Sequence, residues 1–220
     1  MAQAQEVLVV AHEEERARLR AIAGRAQATT VLANQRRLEV RGVCAALFPQ
    51  GLRPGTSVAV RAAKPSLEPA AMRTAIGLAA GVLSSDGWVA VVGAPNLGVL
   101  AAAEAGLPLE RLVFFAAPTT VWATVSIAAV DAFDVVVLCV PARPRVAEVR
   151  RLTGRARERG NTVVAVGPGA AAWGGDARIV TSAVAWDGLG DGHGTLGSCR
   201  VSVDLDGRGA VRPRRVELVL

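Results

Sequence analysis

Four apolar runs constrain this chain more than anything else in it: WVAVV at 88–92, LVFF at Leu112–Phe115, VVVLCV at 135–140 and TVVAV at Thr162–Val166. A strand without polar alternation has to be covered on both faces. Helix-forming stretches lie between the runs, at about 97–105, at about 119–131 and at 145–159, the last closed by Gly160. Strands alternating with helices in this way build a parallel sheet with a helical layer on each side. An earlier unit has the same form. SVAVRAAKPSLEPAAMRTAIGLAAG, starting at Ser57, reads as a strand over 56–60, a tight loop, and a helix over about 69–83 whose start is fixed by Pro65 and Pro69.

After Gly167 the pattern changes. Residues 177–184 read as a strand and 188–197 as a glycine-rich loop. Residues 200–205 and 211–220 then alternate apolar and polar side chains around Asp206-Gly207-Arg208-Gly209. That is an antiparallel hairpin with one wet face, closing the sheet at its edge. The expected fold is α/β: a three-layer αβα core with a mostly parallel sheet and a C-terminal antiparallel hairpin.

Ahead of this core, residues 1–40 read as a helical extension, and 41–220 as the core domain. HEEERARLRAIAGRA at 12–26 has acids in its first turn and arginines later, as the helix dipole prefers. Leu19, Ile22 and Ala26 form a narrow apolar stripe on it, suited to packing or to docking. A second helix is expected at about 29–39, before the loop Phe48-Pro49-Gln50-Gly51 and the turn Arg53-Pro54-Gly55. No apolar run reaches the roughly 18 residues of a membrane span. The first residues lack a basic start before their apolar patch, so a signal peptide is not expected. Cys44, Cys139 and Cys199 are odd in number and far apart, which suits a reducing cytoplasm and gives neither a disulfide framework nor a zinc site.

The net charge of +6 is unevenly spread. Residues 61–140 carry four basic and six acidic side chains, 1–60 carry eight and five, and 141–220 carry thirteen and eight. Basic ends suit an acidic partner, either a nucleic acid or an acidic protein surface, although arginines facing water account for most of them.

The strand–loop–helix at 56–83 is where a phosphate-binding loop would sit. Such a loop, G-x-x-x-x-G-K-[ST], needs glycines to wrap backbone N–H groups around phosphates, a lysine for the terminal phosphates and a hydroxyl for magnesium. Laid after Val60, the template puts Arg61 and Ser66 on the glycines, Leu67 on the lysine and Glu68 on the hydroxyl. Lys64 stands three positions early and precedes Pro65, which has no N–H to donate. The later strands repeat the loss. VAVVGAPNLG offers no carboxylate at its end, Cys139 stands where a magnesium-ordering aspartate would be expected, and Asp134 is at the wrong edge. No catalytic residue, cofactor or metal is expected.

From about Leu38 to Leu220 the order and spacing resemble the core of the RecA-like superfamily. LFPQGLRPGTSVAV resembles the approach to its phosphate loop, AAEAGLPLERLVFF its third-strand region and FDVVVLCV its magnesium-binding strand. RERGNTVVAV and SCRVSVDLDGRGAVRPRRVELVL resemble its fifth strand and closing hairpin. Within that superfamily the lost loop, WDGLGDGHGTLGSCRV and RPRRVEL are similar to the ImuA′ (ImuA or SulA-like) accessory proteins of bacterial damage-induced mutagenesis. The resemblance implies a cytoplasmic protein of the SOS response and translesion synthesis, without activity of its own. It implies an ImuB-type polymerase-like partner, an error-prone DnaE-type polymerase, and contact with RecA or self-association. It places a partner-docking face on the N-terminal helix, on Arg16, Leu19, Arg20 and Ile22. Two alternatives stand beside it. One is a direct DNA-binding module using the arginines of 145–159, Arg150, Arg151 and Arg155 among them, with those of 212–215. The other is a SulA-like cell-division inhibitor.

Lesser features have plain readings. Asp187, Asp191 and His193 lack the ligand number of a calcium loop and the spacing of a zinc site, and read as a hairpin connection. Cys139 reads as an inert buried thiol, and Trp173 as a packing plug more than a base-stacking platform. Ser66 has no histidine in reach for a hydrolytic triad. The helix at 145–159 is expected to bury Val146, Val149 and Leu152.

Overall fold

Three of the apolar runs become inner strands of a single sheet, and the fourth, Leu112–Phe115, becomes its half-buried edge strand, in the computed structural model, which describes residues 37–220 except 191, 192, 196, 209 and 210. The strands are β1 (Ser57–Ala62), β2 (Val89–Val92), β3 (Leu112–Phe115), β4 (Val135–Cys139), β5 (Thr162–Val166), β6 (Ala177–Trp186), β9 (Cys199–Gly207) and β10 (Arg214–Val219). They are ordered β10-β9-β6-β1-β5-β4-β2-β3. From β6 to β3 every pairing is parallel. β9 runs antiparallel to β6, and β10 to β9. The mostly parallel core and the closing hairpin are therefore as expected. The loop at 188–197 also carries a two-stranded hairpin of its own, β7 (Leu189–Gly190) with β8 (His193–Gly194).

Each sheet face has its own core. Val58, Val60, Val89, Val91, Val137 and Val164 point to the layer holding α1 (Glu68–Val82). Ala59, Val92, Val136, Leu138, Val163 and Ala165 point to the opposite layer, with α3 (Trp122–Ala132) and α4 (Val146–Arg159). Adjacent residues on one strand thus feed two cores, the physical reason that these runs carry no polar alternation. The short α2 (Val99–Glu104) sends Ala102 to the α1 side. At the hairpin end only one face is dry. Cys199, Val201, Val203 and Leu205 of β9 are buried, while Arg215 pairs with Asp204 at 2.7 Å on the wet face.

The α1 helix is clamped on both sides, since the 3-10 turn Gly42–Leu47 packs on its outer surface. The close approach depends on glycine. The Arg41 N–H donates to Gly81 O at 2.9 Å, and a Cβ on Gly81 would come within 2.5 Å of Arg41 O. The helix expected at about 29–39 does not extend over its last residues. Leu38 instead bridges Leu52 in an antiparallel contact, because the chain must double back to deliver Val40, Cys44 and Leu47 to the core. Residues 29–36, like the helix expected at 12–26, lie outside the described residues. Leu38–Leu220 forms one compact unit.

Among the described residues, α4 is the most clearly amphipathic helix. Val149, Leu152 and Ala156 are buried, and Gly160 ends the helix in the left-handed conformation, φ 76°. Val146 is not part of that stripe. It is 65% exposed, because residues 145–147 at the start of α4 are all exposed and the helix meets the core only from Val149. No helix among the described residues is long and apolar enough to cross a membrane.

Candidate degenerate nucleotide site

At the carboxyl edge of β1, β4 and β5 lies a cleft of about 340 Å³. Arg61, Lys64 and Glu68 line it from the β1–α1 connection, Met72 from α1, Cys139 from the end of β4 and Gly167 from the end of β5. This is where open α/β sheets hold their ligands. Three of the five residues that the phosphate-loop template singled out line this cleft. Arg61, Lys64 and Glu68 share the cleft, and Ser66 is exposed beside it. Leu67, at the lysine position, is buried at 3% exposure and belongs to the core rather than to the cleft.

The backbone is as telling as the side chains. A phosphate cradle works by leaving several N–H groups free to converge on one anion. Here the Ala63 N–H donates to Thr181 O at 2.9 Å and the Leu67 N–H to Lys64 O at 3.0 Å. The Glu68 N–H donates to Pro65 O, closing the 3-10 turn Pro65–Leu67. Pro65 and Pro69 have no N–H at all. The turn and the neighbouring β6 take up these amides, leaving Lys64 and Ser66 as the amides of 63–69 without a backbone acceptor among the described residues. No non-glycine among the described residues has positive φ, so the loop is an unstrained turn.

Electrostatically the cleft is mixed. Two cations, Arg61 and Lys64, stand with the Glu68 carboxylate and the Cys139 thiol. Cys139 is half-buried and faces this cleft, which corrects its reading as an inert buried thiol: it is the last residue of its strand, so its side chain meets the open sheet edge instead of a covering helix. Burial, and after it the negative charge of Glu68, hold its thiol above the ordinary range. A phosphate here would meet Glu68 as a like charge, a repulsion of about 1 kcal/mol at 4 Å in water and more in a drier site.

The other carboxylates have structural partners. Asp134 accepts the Trp88 N–H at 2.8 Å, at the opposite edge of the sheet. Asp176 accepts from the Ser57 N–H at 2.9 Å and from Arg157 at 3.1 Å, pinning the loop after β5 to β1. Asp187 is held by Ser198 and Arg200, both at 2.9 Å, as a hairpin connection requires. Among the described residues no group of three or more His, Cys, Asp or Glu could hold a metal ion. Trp173 is 2% exposed and fills the α3–α4 core, so it is a plug and offers no face to a base.

The arginine stripe of α4 is largely neutralised. Arg155 is half-buried and bonds Asp131 at 2.5 Å and Glu158 at 3.0 Å, while Arg159 reaches the same Asp131 at 3.2 Å. Those bonds, Arg155 first, hold Asp131 below the usual carboxylate range. Arg157 is taken by Asp176 and Arg145 by Glu148. Arg155 is therefore not part of an open cationic surface, as sequence alone suggested, because i,i+3 and interhelical acids surround it. Arg150 and Arg151 are exposed and make no ion pair among the described residues. Arg16, Leu19, Arg20 and Ile22 lie outside the described residues.

The sequence model of the MT3502 N-terminal domain family matches residues 46–175, a span that includes every residue lining the cleft. An uncharacterized protein of Mycobacterium tuberculosis, Rv3395c, is 35% identical over 118 residues, which is 53% of this chain and 53% of that protein. The chain thus spans about half the length of that curated relative.

Proposed function

The chain belongs to the MT3502 N-terminal domain family, and from that premise we propose that it is a catalytically inactive docking protein built on a RecA-like core. The observation that carries this reading is the β1–α1 turn. Its Ala63, Leu67 and Glu68 amides are spent on backbone carbonyls, a buried leucine stands where the phosphate-binding lysine would, and a carboxylate faces the cleft. Such a site has lost the donors for a triphosphate while keeping the sheet that held them. The parallel core and its antiparallel closing hairpin support the RecA-like resemblance read from the sequence. That resemblance supplies the setting: an accessory factor of damage-induced translesion synthesis, engaging an ImuB-type polymerase-like protein and, through it, an error-prone DnaE-type polymerase.

The test is co-purification of the tagged full chain with an ImuB-type partner expressed beside it. The reading expects a stable complex formed without nucleotide and unaffected by Lys64→Ala. Capture of a division GTPase in its place would replace this reading with the division-inhibitor one.

Direct DNA binding has one observation in its favour, the exposed Arg150 and Arg151 on α4. Two phosphate contacts would give a shallow dependence of affinity on salt, since each contact releases about one counterion. DNA binding with that shallow slope, abolished by Arg150→Ala with Arg151→Ala, would favour that alternative over docking.

A further inference from the structure

Toward the C-terminal half of α1 a second and larger cleft of about 510 Å³ opens between the helix, the turn at 41–43 and the loop at 104–111. Its floor is low because Gly77 and Ala80 face it. Three guanidinium groups line it, those of Arg41, Arg73 and Arg111, against one carboxylate, Glu104, which makes no ion pair among the described residues. Arg73 is half-buried with no carboxylate partner among the described residues and lies 5.9 Å from the centre of the Trp186 ring. Arg111 has, among the described residues, only its chain neighbour Glu110, at 4.0 Å. Arg41 gives one N–H to Leu83 O at 2.5 Å and makes no ion pair among the described residues. Residues 61–140 hold four cations in an otherwise acidic stretch, and two of them, Arg73 and Arg111, meet in this cleft.

We propose that this cleft docks an acidic peptide segment of a partner protein. The segment lays an apolar side chain on the Gly77–Ala80 floor and brings carboxylates to Arg73 and Arg111. The volume lies within the roughly 300–1,000 Å³ of specific binding clefts. The planar fork of arginine matches a carboxylate two bonds at a time. What selects a peptide over a small anion is the apolar surface around the cations: Val43 is 39% exposed on the wall, and Trp186, outside the lining but beneath Arg73, is 45% exposed. A small anion would leave both wet, whereas a peptide covers them. Arginine and tryptophan together are the anchors on which protein interfaces concentrate their energy. The inference rests on the docking reading above and says where one partner attaches.

The experiment is selection of a displayed random-peptide library on the full chain. The recovered peptides are then titrated against the wild type, Arg73→Gln with Arg111→Gln, and Ala80→Glu, with thermal melting as the check on folding. Ala80→Glu keeps the charged rim, places a carboxylate on the floor, and suits a helix. The expected result is enrichment of two or more Asp or Glu around an apolar residue. Binding should weaken at least about tenfold in both variants and be unchanged by Arg150→Ala. Peptides without acid enrichment, binding that both variants retain, or displacement of the peptides by citrate at equal affinity would each overturn the proposal. A chain that selects no acidic peptide and still captures the polymerase-like partner loses this inference and keeps the docking reading.

Discussion

Glu68 and Cys139 face one another across the cleft at the end of β1, and their coupling gives the most local prediction. Removing the carboxylate with Glu68→Gln removes a charge that disfavours the thiolate. The Cys139 thiol should then lose its proton at a lower pH, and alkylation near pH 8 should quicken several-fold. An unchanged rate would mean that Glu68 turns away from the cleft in solution. Cys44 tests burial alone. Its thiol is pushed up to about 12 by burial in the α1 core, against 9.0 for a free thiol. The folded state keeps that proton while the unfolded chain releases it. The Cys44 contribution is therefore intact below pH 9 and declines as pH rises from 9 toward 12. In Cys44→Ala the alkaline decline of denaturation midpoints should flatten. The carboxylate end works in the opposite sense. Asp131 is held below its usual range by Arg155, then Arg159, so its contribution is present at neutral pH and is lost as pH falls through its folded value.

At the scale of elements, α4 separates packing from charge. Leu152 is fully buried against the sheet, so Leu152→Ala should cost about 2–5 kcal/mol in denaturant unfolding. Arg155→Ala removes surface ion pairs to Asp131 and Glu158, which solvent screens, and should cost clearly less than Leu152→Ala. Reversal of that ranking would mean that the Asp131 network, rather than the apolar stripe, fastens the helix. These elements were largely legible beforehand. Unbroken valine runs state two-sided burial in the sequence itself, and Gly160 marks a helix end because only glycine enters the left-handed region without strain. What escaped was set by neighbours distant in sequence. Val146 sits on the helical stripe but in a first turn that the core does not reach. Leu38 bridges Leu52 because the chain doubles back. Arg155 carries the same charge as Arg151, yet Asp131 of α3 reaches only Arg155. The first cleft was visible as a damaged template, since its residues are local. The larger cleft was not, because Arg41, Arg73 and Arg111 come together only in three dimensions and no spacing records them.

At the scale of the whole molecule, the parallel core with a hairpin along one edge is an architecture that commonly holds ligands at the carboxyl ends of its strands. The proposal is that this chain keeps the architecture as a rigid frame while the nucleotide-binding turn has closed on itself. Calorimetric titration of the full chain with ATP and magnesium measures that claim most directly. The account predicts no heat of binding above dilution and no hydrolysis, in the wild type and in Lys64→Ala alike. Saturable binding in the micromolar range, with turnover that Lys64→Ala abolishes, would contradict it.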